Sequence, residues 1–139
     1  MHNCTSFYID GQWVPPAQPS TLEVINPATE GVAGVISMGS RADVDRAVAA
    51  AQRAFETYSR TSREERMALL GRIIEAYQPR LNDMAQAISE EMGAPIETVA
   101  RPQQAPAGIV HFVVALEVLK TFAFEKQQGP TQIVREPVG

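Results

Sequence analysis

The spacing of apolar residues changes at Ser40, and that change limits the chain to a fold in which short strands precede a run of helices. Before it, short apolar runs alternate with turn formers. Phe7-Tyr8-Ile9 and Gln12-Trp13-Val14 flank Asp10-Gly11, a pair suited to a type I′ hairpin turn, which needs positive φ at both central residues. Pro15-Pro16 ends the second strand, because proline cannot donate to a ladder. Residues 21–25 predict a third strand, stopped by Asn26-Pro27, and residues 32–38 a fourth.

After Ser40 the spacing is helical. Ser40 with Asp43 reads as an N-cap with an acidic first turn, and Val44, Ala47, Val48, Ala51 and Phe55 predict one buried face. Ser62 and Glu65 form a capping box ahead of Leu69, Leu70, Ile73, Ile74 and Tyr77. Pro79 ends that helix or opens a third, carried by Leu81, Met84, Ala85, Ile88 and Met92 and closed by Gly93 as a left-handed cap. Pro95, Pro102 and Pro106 are expected to break the chain before a fourth helix over about residues 107–124. Its stripe of Ile109, Phe112, Val113, Leu116 and Leu119 is expected to pack against a sheet. A turn at residues 127–130 then leads into an alternating strand that reaches no turn or polar tail, which reads as the front part of a longer protein.

The 139 residues suffice for one modest domain, and 45% hydrophobic with 20% charged residues is too apolar for disorder. Net charge is -4, and no basic residue lies within the first forty, so no nucleic-acid footprint is expected. Phe7, Tyr8 and Trp13 therefore read as aromatics packing the hairpin onto the helices. The one cysteine, Cys4, allows no internal disulfide and favours a reducing compartment. There is no basic-then-apolar leader pattern, and the longest apolar stretch contains His111 and Glu117, so a cytoplasmic protein without a membrane partner is expected.

Few residues look chemical. Cys4 reads as a mobile thiol in a frayed terminus, and His111 as a packed or partly exposed helix residue. Two histidines and one cysteine without close spacing give no zinc signature. No two glycines have Gly-x-Gly spacing, so neither a dinucleotide fingerprint nor a phosphate loop is present. Glu90 and Glu91 are adjacent, about 100° apart on a helix, and read as a solvated helix end rather than a proton-sharing pair. The residues themselves therefore offer no catalytic set and no cofactor-binding set.

Six short words nevertheless occur in one order: Tyr8-Ile-Asp-Gly-Gln-Trp-Val14, Val24-Ile-Asn-Pro-Ala-Thr29, Ala42-Asp-Val-Asp-Arg-Ala-Val-Ala-Ala-Ala51, Arg60-Thr-Ser-Arg-Glu-Glu-Arg66, Ser89-Glu-Glu-Met-Gly-Ala-Pro95 and Arg135-Glu-Pro-Val-Gly139. Together they make the chain resemble the N-terminal part of the NAD(P)-dependent aldehyde dehydrogenase superfamily. The resemblance implies an α/β fold: the strands and helices of a Rossmann-like cofactor domain, incomplete here and helix-rich. Residues 1–128 would belong to that domain, with strands within 7–38 and helices within 41–124. Residues 130–139 would start a bridging, oligomerisation β segment. It further implies a homo-oligomeric parent enzyme that oxidises an aldehyde to a carboxylic acid with NAD or NADP. The catalytic glutamate and cysteine and the cofactor loop of the family come later, so this segment alone is expected to be inactive and to hold no cofactor.

Many members of that family also hold Na+ or K+ through a strand carbonyl and an acidic residue. The matching positions here are the Ile25 carbonyl and Glu91, although the acid is often Asp, and Val24 lacks the hydroxyl that some members carry. A further ligand would come from beyond Gly139. An alternative reading is a non-catalytic interaction module that docks on a full-length relative through the strand at residues 132–136.

Overall fold

The computed structural model describes residues 2–138. Met1 and Gly139, the latter closing both the last family-like word and the 130–139 segment, lie outside the described residues.

Strands β1 (His2–Cys4), β4 (Thr21–Ile25) and β5 (Val32–Ser37) form one sheet in the order β1-β5-β4. β1 runs parallel to β5, and β4 antiparallel to it with an irregularity between Val24 and Ile25. β1 corrects the expected frayed terminus: Cys4 pairs with Ile36, and the Ser37 hydroxyl donates to the Thr5 carbonyl at 2.8 Å. No pattern announced this strand, because His-Asn-Cys has no apolar alternation.

Strands β2 (Phe7–Ile9) and β3 (Gln12–Val14) form the expected hairpin, with φ of 56° at Asp10 and 76° at Gly11. Two of its three aromatics differ from expectation. Tyr8 and Trp13 face each other across the strands with ring centres 5.3 Å apart, and both are exposed, Trp13 by 73%. The opposite face carries half-buried Phe7, Ile9 and Val14, so the period of two puts these smaller groups inward.

Helix α1 (Arg41–Tyr58) packs chiefly on β2, and Asp10 pairs with Arg53 at 2.8 Å. Of its expected buried face, Val44, Ala47, Val48 and Ala51 are exposed and only Phe55 is half-buried. Helix α2 (Arg63–Tyr77) starts with the expected box: the Glu65 N–H donates to Ser62 Oγ at 3.1 Å, and the Ser62 N–H donates to Glu65 Oε2 at 2.7 Å. A 3-10 turn at Gln78–Arg80 leads into helix α3 (Leu81–Met92), which ends at Gly93 with φ of 70°.

The prolines after it do not break the chain. Ile96–Gln104 form a π-helix with Pro102 inside, running straight into helix α4 (Ala105–Thr121). The wide turn accommodates a proline: Ala105 N–H bonds five residues back to Ala100 O. The Thr98 carbonyl, which a Pro102 amide would meet in an α-helix, accepts the Gln103 side-chain amide at 2.8 Å instead. Gln104 Oε1, at the junction, is buried without a hydrogen-bond partner.

α4 packs on α2, the π-helix and α3 rather than on a sheet. Ile109, Phe112, Leu116 and Leu119 are half-buried, while Val113 is exposed. The last strand has a partner that the sequence did not announce. β6 (Glu125–Gln128), wholly polar, pairs antiparallel with β7 (Thr131–Val134) around Gly129-Pro130.

The only buried hydrophobics among the described residues are Ala50, Ala85, Ala100 and Ala105. The last three cluster with Leu81, Met84, Ile88 and Ala94 where α3, the π-helix and α4 meet. The exposed surface is 10125 Å², against roughly 7,000 Å² for a compact monomer of this mass.

The α2–α4 crossing depends on Gly108. A Cβ there would collide with the Tyr77 hydroxyl and lie 2.8 Å from Tyr77 Cζ, while that hydroxyl donates to Ala105 O at 3.2 Å. Gly108→Ala is expected to destabilise the chain by about 1–3 kcal/mol. Gly71→Ala, mid-helix with no atom near its Cβ position, should be neutral or stabilise by about 0.5–1 kcal/mol. Thermal unfolding followed by circular dichroism separates the two.

Candidate functional site

The loop after β4 is tied to itself. The Asn26 side chain accepts the Ala28 N–H at 2.8 Å, the Asn26 N–H donates to Gly31 O at 2.8 Å, and the Glu30 N–H donates to Asn26 O at 2.8 Å. The end of α3 lies directly on this loop: a Cβ at Gly93 would come within 2.9 Å of Pro27 Cγ. Glycine is thus required there twice, for its left-handed backbone and for the close approach.

This contact brings the sheet and α3 together around a cavity of about 400 Å³. Its walls include Cys4, Val24, Ile36, Asp83, Glu90 and Glu91. The two positions expected to hold a monovalent cation are therefore neighbours in part. Glu91 reaches the cavity, but Ile25 is exposed and is not on its wall. Glu90 accepts a hydrogen bond from the Gln86 amide at 2.7 Å. Among the described residues no group of three or more His, Cys, Asp or Glu is placed to hold a metal ion. His111 is exposed on α4, away from this cavity's walls.

A second polar centre was only half legible. Asp43 is 4% exposed and collects four donors. Ser40 Oγ and the Ser40 N–H reach Oδ2 at 2.7 and 2.9 Å. The Ala17 N–H and Arg46 Nη2 reach Oδ1 at 2.9 and 2.6 Å. The Ser40 hydroxyl donates to Asp43, where a simple N-cap hydroxyl would accept. The Ser40 hydroxyl, then the Ser40 and Ala17 amides, hold the carboxyl well below the usual carboxylate range. Arg46 also donates to Pro15 O at 3.3 Å, so one carboxylate fixes the Pro15–Ala17 loop to the start of α1. The Ser40/Asp43 spacing signalled the local cap. Nothing in the sequence signalled a partner 26 residues away.

A third centre joins the C-terminal hairpin to the helices. Arg63 opens α2, where a cation opposes the helix dipole, yet its Nη atoms donate to Lys120 O at 2.7 Å and Phe122 O at 2.6 Å. It thereby satisfies carbonyls at the end of α4. Arg63 and Arg135 lie 5.6 Å over the rings of Phe124 and Phe122, which pack edge-on at 5.0 Å. The Arg135 side chain donates to Ala123 O at 2.9 Å.

At the starts of α1 and α2 the N-cap amides are already engaged: the Ser40 N–H donates to Asp43 and the Ser62 N–H to Glu65. No helix among the described residues is long and apolar enough to cross a membrane.

The profile of the aldehyde dehydrogenase family matches residues 13–139. The chain is 50% identical over its whole length to a 3-succinoylsemialdehyde-pyridine dehydrogenase from a Pseudomonas species, of which it covers 29%. It superposes on aldehyde dehydrogenase C of Pseudomonas syringae, solved with NAD+ and octanal, with a TM-score of 0.90 and 48% identity over 96% of this chain and 27% of that one. An aldehyde dehydrogenase from Bartonella henselae gives a TM-score of 0.89 and 41% identity over 94% of this chain and 28% of the other. The chain thus spans less than a third of the length of the relatives it matches.

Because the native Asp43 carboxyl titrates below its unfolded value, its stabilisation is complete above about pH 4 and is lost as the pH falls through the lower native value. Asp43→Asn should therefore lower the melting temperature most at neutral pH, with the gap to the native chain closing in strong acid. A gap independent of pH would contradict the charged network.

Proposed function

The chain belongs to the aldehyde dehydrogenase family, and from that premise we propose that it forms the N-terminal, cofactor-side portion of an enzyme that oxidises an aldehyde to a carboxylic acid with NAD(P)+. The observation that carries this reading is that 96% of the chain superposes at a TM-score of 0.90 on a relative solved with NAD+ and octanal. The relative half identical to it is also named for an aldehyde substrate.

In this reading the chain supplies scaffold and not chemistry. The N-cap amides of α1 and α2 are taken by its own carboxylates, and no two of its glycines have the Gly-x-Gly spacing of a pyrophosphate loop. The nucleotide and the aldehyde would be bound by the rest of the enzyme, and the enzyme would assemble as a homo-oligomer. Residues 130–139, with strand β7 and the Arg135 side chain bonded to Ala123 O, would begin the segment that bridges subunits.

A Na+ or K+ ion held by the Ile25 carbonyl and Glu91 belongs to the same reading. Its support is that Glu91 faces the cavity beside β4 and that Gly93 packs on the loop following Ile25. The decisive construction is a graft of this chain in place of the matching stretch of the Pseudomonas dehydrogenase.

The graft should reduce NAD+ with that enzyme's aldehyde at a rate within roughly tenfold of the original, about 1.4 kcal/mol in the barrier. The chain alone should produce no NADH above background with NAD+ or NADP+ and a series of aldehydes. A folded graft without turnover, or robust turnover by the chain alone, overturns the reading. In the same graft, Na+ or K+ should raise the melting temperature above that in tetramethylammonium chloride, and Glu91→Gln should abolish the increment. An equal melting temperature in all three salts removes the cation.

A further inference from the structure

Three arginines meet at one cavity, and none of them has a carboxylate partner. The cavity, of about 440 Å³, lies between the start of α2 and the C-terminal hairpin, and Arg63, Arg66 and Arg135 are in its wall. Ion pairs among the described residues engage Arg41, Arg46, Arg53, Arg101 and Lys120, and none engages these three.

Their placement is unfavourable on its own. Arg63 and Arg66 stand three residues apart at the start of α2, so like charges share one side of the helix. The helix dipole at that end favours anions. Both side chains are half-buried, so water and salt screen them less than they would an exposed pair. The hydrogen bonds they make do not cancel the charge, because every acceptor is neutral. Arg63 meets two carbonyls at the end of α4, Arg66 the Ser59 carbonyl and the Thr61 hydroxyl, and Arg135 the Ala123 carbonyl. The acids in the wall do not meet it either: Glu125 accepts from the Gln132 side chain at 3.4 Å, and Glu136 is exposed.

Those same bonds orient the three side chains in advance. The rings of Phe124 and Phe122 lie under two of the guanidinium planes. A guanidinium has five N–H donors, so each of the three keeps donors beyond those it uses here. Fixed forks of this kind match an oxyanion with several oxygens, a phosphate above all. A bare phosphate fills only part of the volume, which is that of a small-molecule site. Phe124, Val134 and Pro137 give the remaining space an apolar wall.

We infer that this cavity binds a small phosphomonoester, with its phosphate on Arg63, Arg66 and Arg135 and its organic part against Phe124, Val134 and Pro137. The site is separate from the dinucleotide, which the proposed function assigns to the rest of the enzyme. The ligand ties the start of α2 to β7, and no bond in it is made or broken.

The test is a calorimetric titration of inorganic phosphate and of phenyl phosphate into this chain and into the graft, with chloride holding the ionic strength constant. Both should saturate a single site, and phenyl phosphate should bind more tightly because of the apolar wall. Arg135→Gln, which keeps a donor for the Ala123 carbonyl, should weaken both by about tenfold or more, the loss of one charge-assisted contact. Arg41→Gln makes the same change of charge at a side chain 95% exposed on α1 and should leave both affinities unchanged. Glu136→Gln removes an acid from the wall and should tighten binding severalfold, a result that damage to the fold does not produce.

Equal weakening by Arg41→Gln and Arg135→Gln would reveal a response to total charge and not a site, and overturns the inference. Failure of either ligand to saturate overturns it, and so does phenyl phosphate binding no more tightly than inorganic phosphate. Displacement by NAD+ overturns it as well, since the cavity would then belong to the cofactor. A graft closed to both ligands has the same consequence. None of these results touches the family reading, whose own test is NADH formation by the graft.

Discussion

Close approach of α2, α3, the π-helix and α4 is the constraint on which the fold depends. Every buried hydrophobic side chain among the described residues is an alanine, so cohesion comes from short distances between backbones and not from the volume of large side chains. Gly108 beneath the Tyr77 ring and Gly93 against Pro27 are the same device at two other contacts. Leu81, Met84 and Ile88 pack half-buried against the alanine cluster, each contributing only part of the transfer energy that full burial would give. Close packing sets the geometry, but it does not supply the stability of a full-sized core.

Polar links do much of the remaining organisation. Asp43 joins a proline loop to the start of α1, and Arg63 joins the start of α2 to the end of α4. Both satisfy backbone groups that helices leave without partners at their ends. Both also spend residue types usually kept at the surface: a nearly buried carboxylate, and a guanidinium at the wrong end of a helix dipole. Their reason lies in long-range connection, which is why neither role could be read from neighbouring residues. Arg135 extends the second link to the hairpin, so the direction in which β7 leaves the helices is set by two arginines and two phenylalanines.

What could be read in advance was what local chemistry decides. Asp10-Gly11, the Ser62/Glu65 box and the Gly93 cap each require a particular backbone or a particular donor, and all three stand where expected. β1 and β6 escaped because His-Asn-Cys and Glu-Lys-Gln-Gln have no period of two; they are strands because partners are present. The prolines misled because the rule that proline ends a helix assumes α geometry, and a π turn removes the clash at Pro102. The meeting of β4 and α3 beside Glu91 had no local signal, since no spacing in the sequence relates the two elements.

The helices show a deeper reason for partial legibility. Val44, Ala47, Val48 and Ala51 predict a buried face on α1, and the structure leaves that face in water. The periodicity marks an amphipathic helix; what it cannot state is who supplies the cover. A hydrophobic stripe encodes the requirement that some surface meet it, and the same requirement is met equally by a neighbouring helix, a sheet or another chain. α4 shows both outcomes at once: Leu116 is half-buried while Val114 and Val118 are open. One helix with two apolar sides is the pattern of an interior layer. The valines of α4 stay open because, among the described residues, its main contacts are α2, α3 and the π-helix, and these meet its other side.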